Sequence, residues 1–325
     1  MFDPGERRYP VLLLTPEQIQ EHLQGWQPGA RVTEIEQLRG GLRNTNYRVV
    51  LAGQAASVVV RFYVADPTAC IREAALSRLV AGQAPKPEIL FTDASGEPPF
   101  SIYTLAPGER LEDLLYRAAP SVLESTAFAA GQVLARIHAT TFPAAGFLSA
   151  ELTIAEPFRT GGAGWASYME DFLFRRGVGG KLGADLTEQL WQLVTVSAPR
   201  LDPLEDDRSL VHADFQPHNL LVRHDGVGWQ VTAVLDWEFA LAASPLLDIA
   251  IFLRNASRLP AAYGRGFIAG YLEGGGILPP DWRAMAKLLD LLNLCSLLDQ
   301  PGGGPATIER VQELITATIG ELSSP

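Results

Sequence analysis

An α+β fold, with a small β-rich lobe leading into a larger helix-rich one, is what this sequence predicts. Three observations carry that expectation. Segments of strand-like alternation crowd into the first hundred residues, helical periodicity fills most of the remainder, and Pro107-Gly108 breaks the chain near the change of pattern. The 325 residues are 47% hydrophobic and 19% charged, enough apolar material for two lobes. The division is therefore expected at residues 1–105 and 106–325.

The elements follow in order. Thr15-Pro16-Glu17-Gln18 predicts a helix start, with Thr15 capping, Pro16 at the first helical position and Gln18 closing a capping box; the helix should end near Gln27-Pro28-Gly29. Strands are expected at 32–39, 45–52 and 57–64 as an antiparallel meander, with Arg39 to Asn44 and Ala52-Gly53-Gln54 as its turns. Asp66-Pro67 begins a helix reaching Ala81-Gly82, and short strands follow at 88–92 and 100–105. Helices are then expected at 110–118, 121–140, 162–175 and 185–198. A hairpin interrupts at 209–236, turning at His224-Asp225-Gly226. The chain returns to helix at 245–257, 260–273, 281–298 and 305–322, the last two separated by Pro301-Gly302-Gly303-Gly304-Pro305.

The formal net charge of −11 offers no phosphate-neutralising surface, so nucleic acid is not an expected partner. Cys70 and Cys295 make neither a metal-spaced cluster nor a disulfide framework. The first residues lack a basic start with an apolar core, and no run of about 18 apolar residues occurs, so a cytoplasmic protein without membrane contact is expected. Oligomeric state is not legible.

The chemistry concentrates in Leu210-Val211-His212-Ala213-Asp214-Phe215-Gln216-Pro217-His218-Asn219-Leu220-Leu221-Val222 and in Asp236-Trp237 after the returning strand. This layout gathers Asp214, Asn219 and Asp236 at one edge of a hairpin. Asn and Asp supply the hard oxygens that suit Mg²⁺, and an Asp that does not bind metal can deprotonate a hydroxyl. The same stretch permits a second reading: His212, Asp214 and His218 are closely spaced N/O ligands of the kind a zinc hydrolase uses.

His212, Asp214, Asn219 and Asp236 match, one by one, the His-x-Asp-x-x-x-x-Asn…Asp pattern of the aminoglycoside phosphotransferases, choline kinases and related small-molecule kinases, and the chain resembles that family through most of its length. The resemblance implies a two-lobed protein-kinase-like fold, with residues 1–105 as a nucleotide-binding lobe and 106–325 as a catalytic and acceptor-binding lobe. It also implies ATP and Mg²⁺ as cofactors and transfer of the γ-phosphate to a hydroxyl of a small molecule, aminoglycoside-like, an amino sugar or an amino alcohol. Asp214 would be the base, Asn219 and Asp236 the metal ligands, and His212 structural. Gly40-Gly41-Leu42-Arg43-Asn44-Thr45-Asn46 looks like the family's phosphate loop, so Gly40, Gly41, Asn44 and Asn46 are nucleotide candidates.

On the third strand Val59 and Arg61 share a face. Lysines are confined to positions 86, 181 and 287, so Arg61 would take the phosphate-clamping place that a lysine holds in protein kinases, with Glu73 as its partner. Phe100 to Gly108 resembles the family's hinge. Backbone groups of Thr104 and Ala106 would bind adenine there, with Val59, Leu105, Leu221 and Leu235 around the base. Asp248 would tie the catalytic loop through backbone N–H groups.

Trp237-Glu238 follows the metal-site Asp where a protein kinase has Phe-Gly, and only twelve positions separate Asp236 from Asp248, leaving no room for a phosphorylatable loop. The alternatives carried beside this reading are the metal-dependent hydrolase and a catalytically dead nucleotide-binding relative. For the acceptor, Trp165, Tyr168, Glu170, Asp171, Trp237, Glu238, Asp290 and Asp299 are candidates, a mixture of acids and aromatics suited to an amine or a polyol.

Overall fold

The computed structural model describes residues 9–38, 43–300 and 304–323. Helix α1 (Pro16–Leu23) opens on the expected capping box: the Thr15 hydroxyl accepts from Gln18 N at 3.3 Å and Gln18 Oε1 accepts from Thr15 N at 2.8 Å. Strands β1 (Val32–Gln37), β2 (Thr45–Leu51) and β3 (Val58–Phe62) precede helix α2 (Ala69–Leu79), and β4 (Ile89–Asp93) and β5 (Phe100–Thr104) follow it. They form one antiparallel sheet in the order β1-β2-β3-β5-β4. The two-residue period puts Tyr47, Val49, Leu51, Val58, Val60, Phe62, Phe100 and Ile102 on one face, where Ile19 and Leu23 of α1 cover them as the core of the N-terminal lobe. Val59 and Arg61 take the other face of β3.

The second lobe begins with β6 (Glu109–Arg110) and the helices α3 (Leu111–Leu115) and α4 (Pro120–His138). A hairpin, β7 (Gly146–Leu148) and β8 (Ile154–Pro157), leads to α5 (Gly162–Glu170), α6 (Val178–Leu182) and α7 (Ala184–Ser197). The expected single helix over 162–175 instead ends at Glu170 and continues as a π-helical turn, Asp171–Arg175. Strands β9 (Ser209–Val211), β10 (Leu220–His224), β11 (Trp229–Val234) and β12 (Leu241–Ala243) precede α8 (Leu246–Leu253), α9 (Ala261–Glu273), α10 (Trp282–Asp299) and α11 (Pro305–Ser323).

The expected hairpin at 209–236 resolves into two sheets. β10 and β11 form the hairpin proper, pairing Leu220 with Val234 and His224 with Trp229, and β6 joins its other edge. β9 leaves it, because the polar turn at 212–219 diverts the chain, and pairs with β12 in a sheet ordered β8-β7-β12-β9.

Two close approaches fix the frame. Gly108, at φ +123°, lies on the β10–β11 hairpin so closely that a Cβ there would sit 2.7 Å from Val222 O. Helices α4 and α9 touch backbone to backbone: a Cβ on Gly270 would come within 2.0 Å of Phe128 O. That contact brings Tyr271 to His138, hydroxyl to Nδ1 at 3.0 Å. Among the described residues no helix is long and apolar enough to cross a membrane.

Candidate active site

Asp248, at the start of α8, organises the catalytic turn. It is fully buried, and its carboxylate accepts from the backbone N–H groups of His212 and Ala213 at 2.7 and 2.8 Å, and from His138 Nε2 at 3.1 Å. These bonds hold Ala213 in the left-handed region, φ 60°, which a non-glycine residue adopts only when its surroundings impose it. His212 is locked as well. Its Nε2 donates to Leu235 O at 2.8 Å and its Nδ1 accepts from Asp214 N at 3.2 Å. The turn is thereby fastened to α8 on one side and to the end of β11 on the other.

From this turn Asp214 faces the cleft. Its Oδ2 accepts from Asn219 Nδ2 at 2.8 Å, its Oδ1 accepts from Gln216 Nε2, and His218 Nε2 stands 3.8 Å from Oδ2. Burial disfavours a charged His218, but the Asp214 carboxylate outweighs it and holds the imidazole above its ordinary value. Asn219 is buried and also donates to Asp214 O at 3.0 Å. Leu235 N donates to Asn219 O at 2.8 Å, which ties Asn219 to the strand that ends in Asp236.

Asp236 is a second left-handed residue, φ 61°. Its Oδ1 pairs with Arg61, whose other amino group meets Glu73 Oε1 at 3.1 Å. Glu73 also accepts from the hydroxyls of Tyr63 and Tyr103, at 2.9 and 3.0 Å. The chain Asp236–Arg61–Glu73 thus spans the two lobes. Burial works to raise the Asp236 carboxyl, yet the guanidinium beside it prevails and leaves it below the usual range; for Glu73 burial prevails and the carboxyl rises. Among the described residues, Asn219 Oδ1 and Asp236 Oδ2 are left without a protein partner. These are hard oxygens of the kind Mg²⁺ takes alongside water and phosphate, so the residues present fit that ion.

Glu238, an acceptor candidate, is also tied to the N-terminal lobe. Its Oε2 meets Arg43 Nε at 3.4 Å and Asn44 Nδ2 at 3.3 Å, and Arg72 donates to its backbone oxygen at 3.0 Å. Burial pushes its carboxyl up to about 7. Asn44 is buried and fixed on both sides, its Oδ1 accepting from Val64 N at 3.2 Å. Asn46 pairs with Arg61 across β2 and β3. Gly40 and Gly41 lie outside the described residues.

At the connection between the lobes, Val59, Leu221 and Leu235 are half-buried, whereas Val58, Val60, Leu220 and Val234 beside them are buried. Thr104 N already donates to Glu88 O at 2.9 Å, so that donor is not open to a base. Ala106 carries no backbone hydrogen bond among the described residues.

A cavity of about 550 Å³ joins Arg61, Asn44, Asn46, Asp214, Gln216, His218 and Asp236 to the helices of the second lobe. Several acceptor candidates do not reach it. Trp165 is fully buried with its indole N–H on Leu288 O at 3.1 Å, and Trp237 donates to Val234 O at 3.1 Å. Glu170 is exposed beside Arg175, Asp290 is clamped by Arg254 at 2.6–3.1 Å, and Asp299 pairs with Arg176. Tyr168, Asp171 and Glu238 do line it.

The zinc reading does not survive this geometry. Both nitrogens of His212 are committed to backbone groups in a fully buried ring, and no cluster of three His, Cys, Asp or Glu side chains forms among the described residues.

Comparison with known proteins agrees with the fold. Aminoglycoside phosphotransferase APH(4)-Ia, in a ternary complex with AMP-PNP and hygromycin B, superposes with a TM-score of 0.66 at 20% identity over 94% of this chain and 99% of that one. The GDP and kanamycin complex of APH(2")-IIia gives a TM-score of 0.71 at 16% identity, over 93% and 98% of the two chains. Macrolide 2'-phosphotransferase MphH from Brachybacterium faecium gives 0.64 at 19%, over 91% and 97%. No curated protein sequence matches the chain significantly. The model of the phosphotransferase enzyme family matches residues 34–288, more than half of the sequence; the chain belongs to that family and is a small-molecule kinase.

Proposed function

We propose that the enzyme moves the γ-phosphoryl group of ATP to a hydroxyl of a small molecule, with Asp214 as the base. The observation that carries this reading is one cavity that holds a tethered, cleft-facing carboxylate at Asp214 and, opposite it, Asp236 joined to Arg61. Residues 1–105 act as the nucleotide lobe and 106–325 as the catalytic and acceptor lobe. The solved relatives hold AMP-PNP or GDP together with an aminoglycoside, and another is a macrolide phosphotransferase; a hydroxyl-bearing small molecule is the acceptor class common to them.

Asp214 orients the acceptor hydroxyl and takes its proton as the new O–P bond forms and the bond to the bridging oxygen of ADP breaks. Asn219 and Gln216 hold that carboxylate in place, and Asp248 holds the turn that presents it. Arg61, kept in place by Glu73, clamps the phosphates with a permanently charged fork. Asn44 and Asn46, at the start of β2, face the phosphates, and Val59, Leu221 and the backbone of Thr104 and Ala106 border the adenine. Asn219 and Asp236 would hold Mg²⁺, which supplies charge neutralisation to the phosphates when bound.

Calorimetry with ATP in the presence and absence of Mg²⁺ tests the reading. Mg²⁺-dependent binding is expected. Failure of both ATP and GTP to bind at millimolar concentration overturns it, and preference for GTP would correct the donor alone.

A further inference from the structure

The cavity extends well beyond the reacting groups, in a direction that the nucleotide does not account for. None of Val59, Thr104, Ala106 and Leu221 lines it, so it runs away from the connection between the lobes and into the helical lobe. There its walls are apolar: Phe147 on β7, Phe158, Tyr168 on α5, Phe172 in the π-helical turn, Ile251 on α8 and Leu292 on α10. Phe158 stacks on Tyr168 with ring centroids 5.2 Å apart, and Phe147 meets Phe158 edge-on at 5.6 Å. These three rings form a continuous aromatic wall.

The acids that a polycation would need are committed elsewhere. Asp290 is held by Arg254 through both oxygens, Asp299 by Arg176, and Glu238 by Arg43 and Asn44. Asp171 lies 4.0 Å from Arg176. Of the carboxylates lining this part of the cavity, Glu156 alone has no protein partner among the described residues, and it is exposed at the rim. Several ammonium groups brought into this chamber would lose water with Glu156 alone free to pair with them, and would meet the Arg176 and Arg254 guanidinium groups. Arg176, Arg254, Ser296 and Asn293 also border this part of the cavity, and Asn293 Nδ2 is buried with no hydrogen-bond partner. A half-turn of the amide about its last torsion offers that donor to an oxygen in the chamber.

We propose that the acceptor is a bulky, largely apolar alcohol bearing at most one positive charge, with Asn293 donating to one of its oxygens. This rests on the phosphotransfer reading above. The molecule lays its hydrocarbon body against the Phe147–Phe158–Tyr168 wall and Leu292 while its hydroxyl reaches Asp214. That hydroxyl then loses its proton to Asp214 and gains the γ-phosphoryl group as ADP departs. The inference revises the expectation of an aminoglycoside-like acceptor or an amino sugar, whose charges this chamber does not match.

The test compares a macrolide lactone, as the apolar polyol, with kanamycin, as the polycation. Each is followed by ADP release with Mg²⁺-ATP and by equilibrium binding in the presence of Mg²⁺ and AMP-PNP. The macrolide should bind at least about tenfold more tightly than kanamycin, the discrimination expected from burying hydrocarbon rather than ammonium groups. Phe147→Ser, at an exposed position that leaves the core intact, and Leu297→Gln, at another lining residue, should each weaken macrolide binding about tenfold with Mg²⁺-ATP affinity unchanged, and Phe147→Leu should restore most of it. Kanamycin binding as tightly or more tightly, or neither ligand binding at millimolar concentration, overturns the proposal. Loss of Mg²⁺-ATP binding in the wild-type protein instead brings down the phosphotransfer reading, and the two failures are thereby told apart.

Discussion

Replacing Arg61 by methionine keeps most of the side-chain volume and removes the cation from the centre of the interlobe chain. Glu73, 7% exposed, then loses its ion-pair partner at 3.1 Å. At an effective dielectric of about 20 that pair is worth about 5 kcal/mol before the desolvation of both ions is subtracted. Removing one member of a buried pair generally costs about 3–5 kcal/mol. Protonating the orphaned carboxyl sets a ceiling: from an ordinary value of about 4.3 to pH 7 it costs about 3.7 kcal/mol. The hydroxyls of Tyr63 and Tyr103 still bond the neutral acid, so Arg61→Met should lose about 3–4 kcal/mol at pH 7.

The sign of the pH dependence follows from the same ceiling. In the variant the folded Glu73 carboxyl titrates above its unfolded value, so the deficit should shrink as pH falls toward about 4.3, where the unfolded chain is protonated too. Urea unfolding at pH 7 and pH 5 reads both quantities, and steady-state kinetics should show weakened use of ATP. Adding Glu73→Gln should recover about 2 kcal/mol or more in a double-mutant cycle. A deficit under about 1 kcal/mol, equal at both pH values and unrelieved by Glu73→Gln, would refute the reasoning.

Gly270→Ala should destabilise the fold by about 2–3 kcal/mol, because its Cβ would meet Phe128 O at 2.0 Å and backbone must shift to admit it; thermal unfolding checks this, and an unchanged melting temperature would contradict the close α4–α9 approach. Asp66 lies just ahead of α2, accepting from Thr68 N at 3.0 Å and pairing with Arg72 at 3.1 Å; burial raises its carboxyl, but the Thr68 and Arg72 bonds prevail and leave it low. Its contribution is therefore full at neutral pH and declines as pH falls below about 3.9 toward the folded value, so Asp66→Asn should cost about 1 kcal/mol at pH 7 and less at about pH 3. Denaturant unfolding at the two pH values reads this, and an equal loss at both would contradict it.

The grouping of the candidate residues was legible because it is local. Asp214 and Asn219 sit in one turn, Asp236 closes the next hairpin, and the alternation of β3 puts Val59 and Arg61 on one face. The long strands and helices were legible for the same reason: Thr15 to Gln18 states a helix start in four residues, and Tyr47-Val49-Leu51 states a buried face in five. The shorter elements were not. β6 has two residues and β12 three, too few to display a period, and they exist only because β10 and β9 lie beside them. The π-helical turn at Asp171–Arg175 has no marker that distinguishes it from the helix before it.

Long-range pairing hid the rest of the site. Glu238 lines the cavity, but only the fold shows that Arg43, 195 positions away, holds it. Asp290 and Asp299 read as free acids until Arg254 and Arg176 fold onto them. Sequence alone counts carboxylates; only the fold shows which ones are already paired with a cation.

In the proposed mechanism Asp214 moves the proton while Asn219 and Asp236 serve the metal. Pre-steady-state and steady-state turnover of Asp214→Asn, measured with Mg²⁺-ATP over a range of Mg²⁺ concentrations, tests it most directly. The substitution keeps the shape and removes the proton acceptor. Turnover should fall by about 10²–10⁴-fold, the usual worth of a positioned base, with Mg²⁺-ATP affinity unchanged and no recovery at high Mg²⁺. Asp236→Asn in the same assay should recover part of its activity as Mg²⁺ rises. Turnover of Asp214→Asn near the wild-type rate, or its restoration by Mg²⁺, would contradict the assignment.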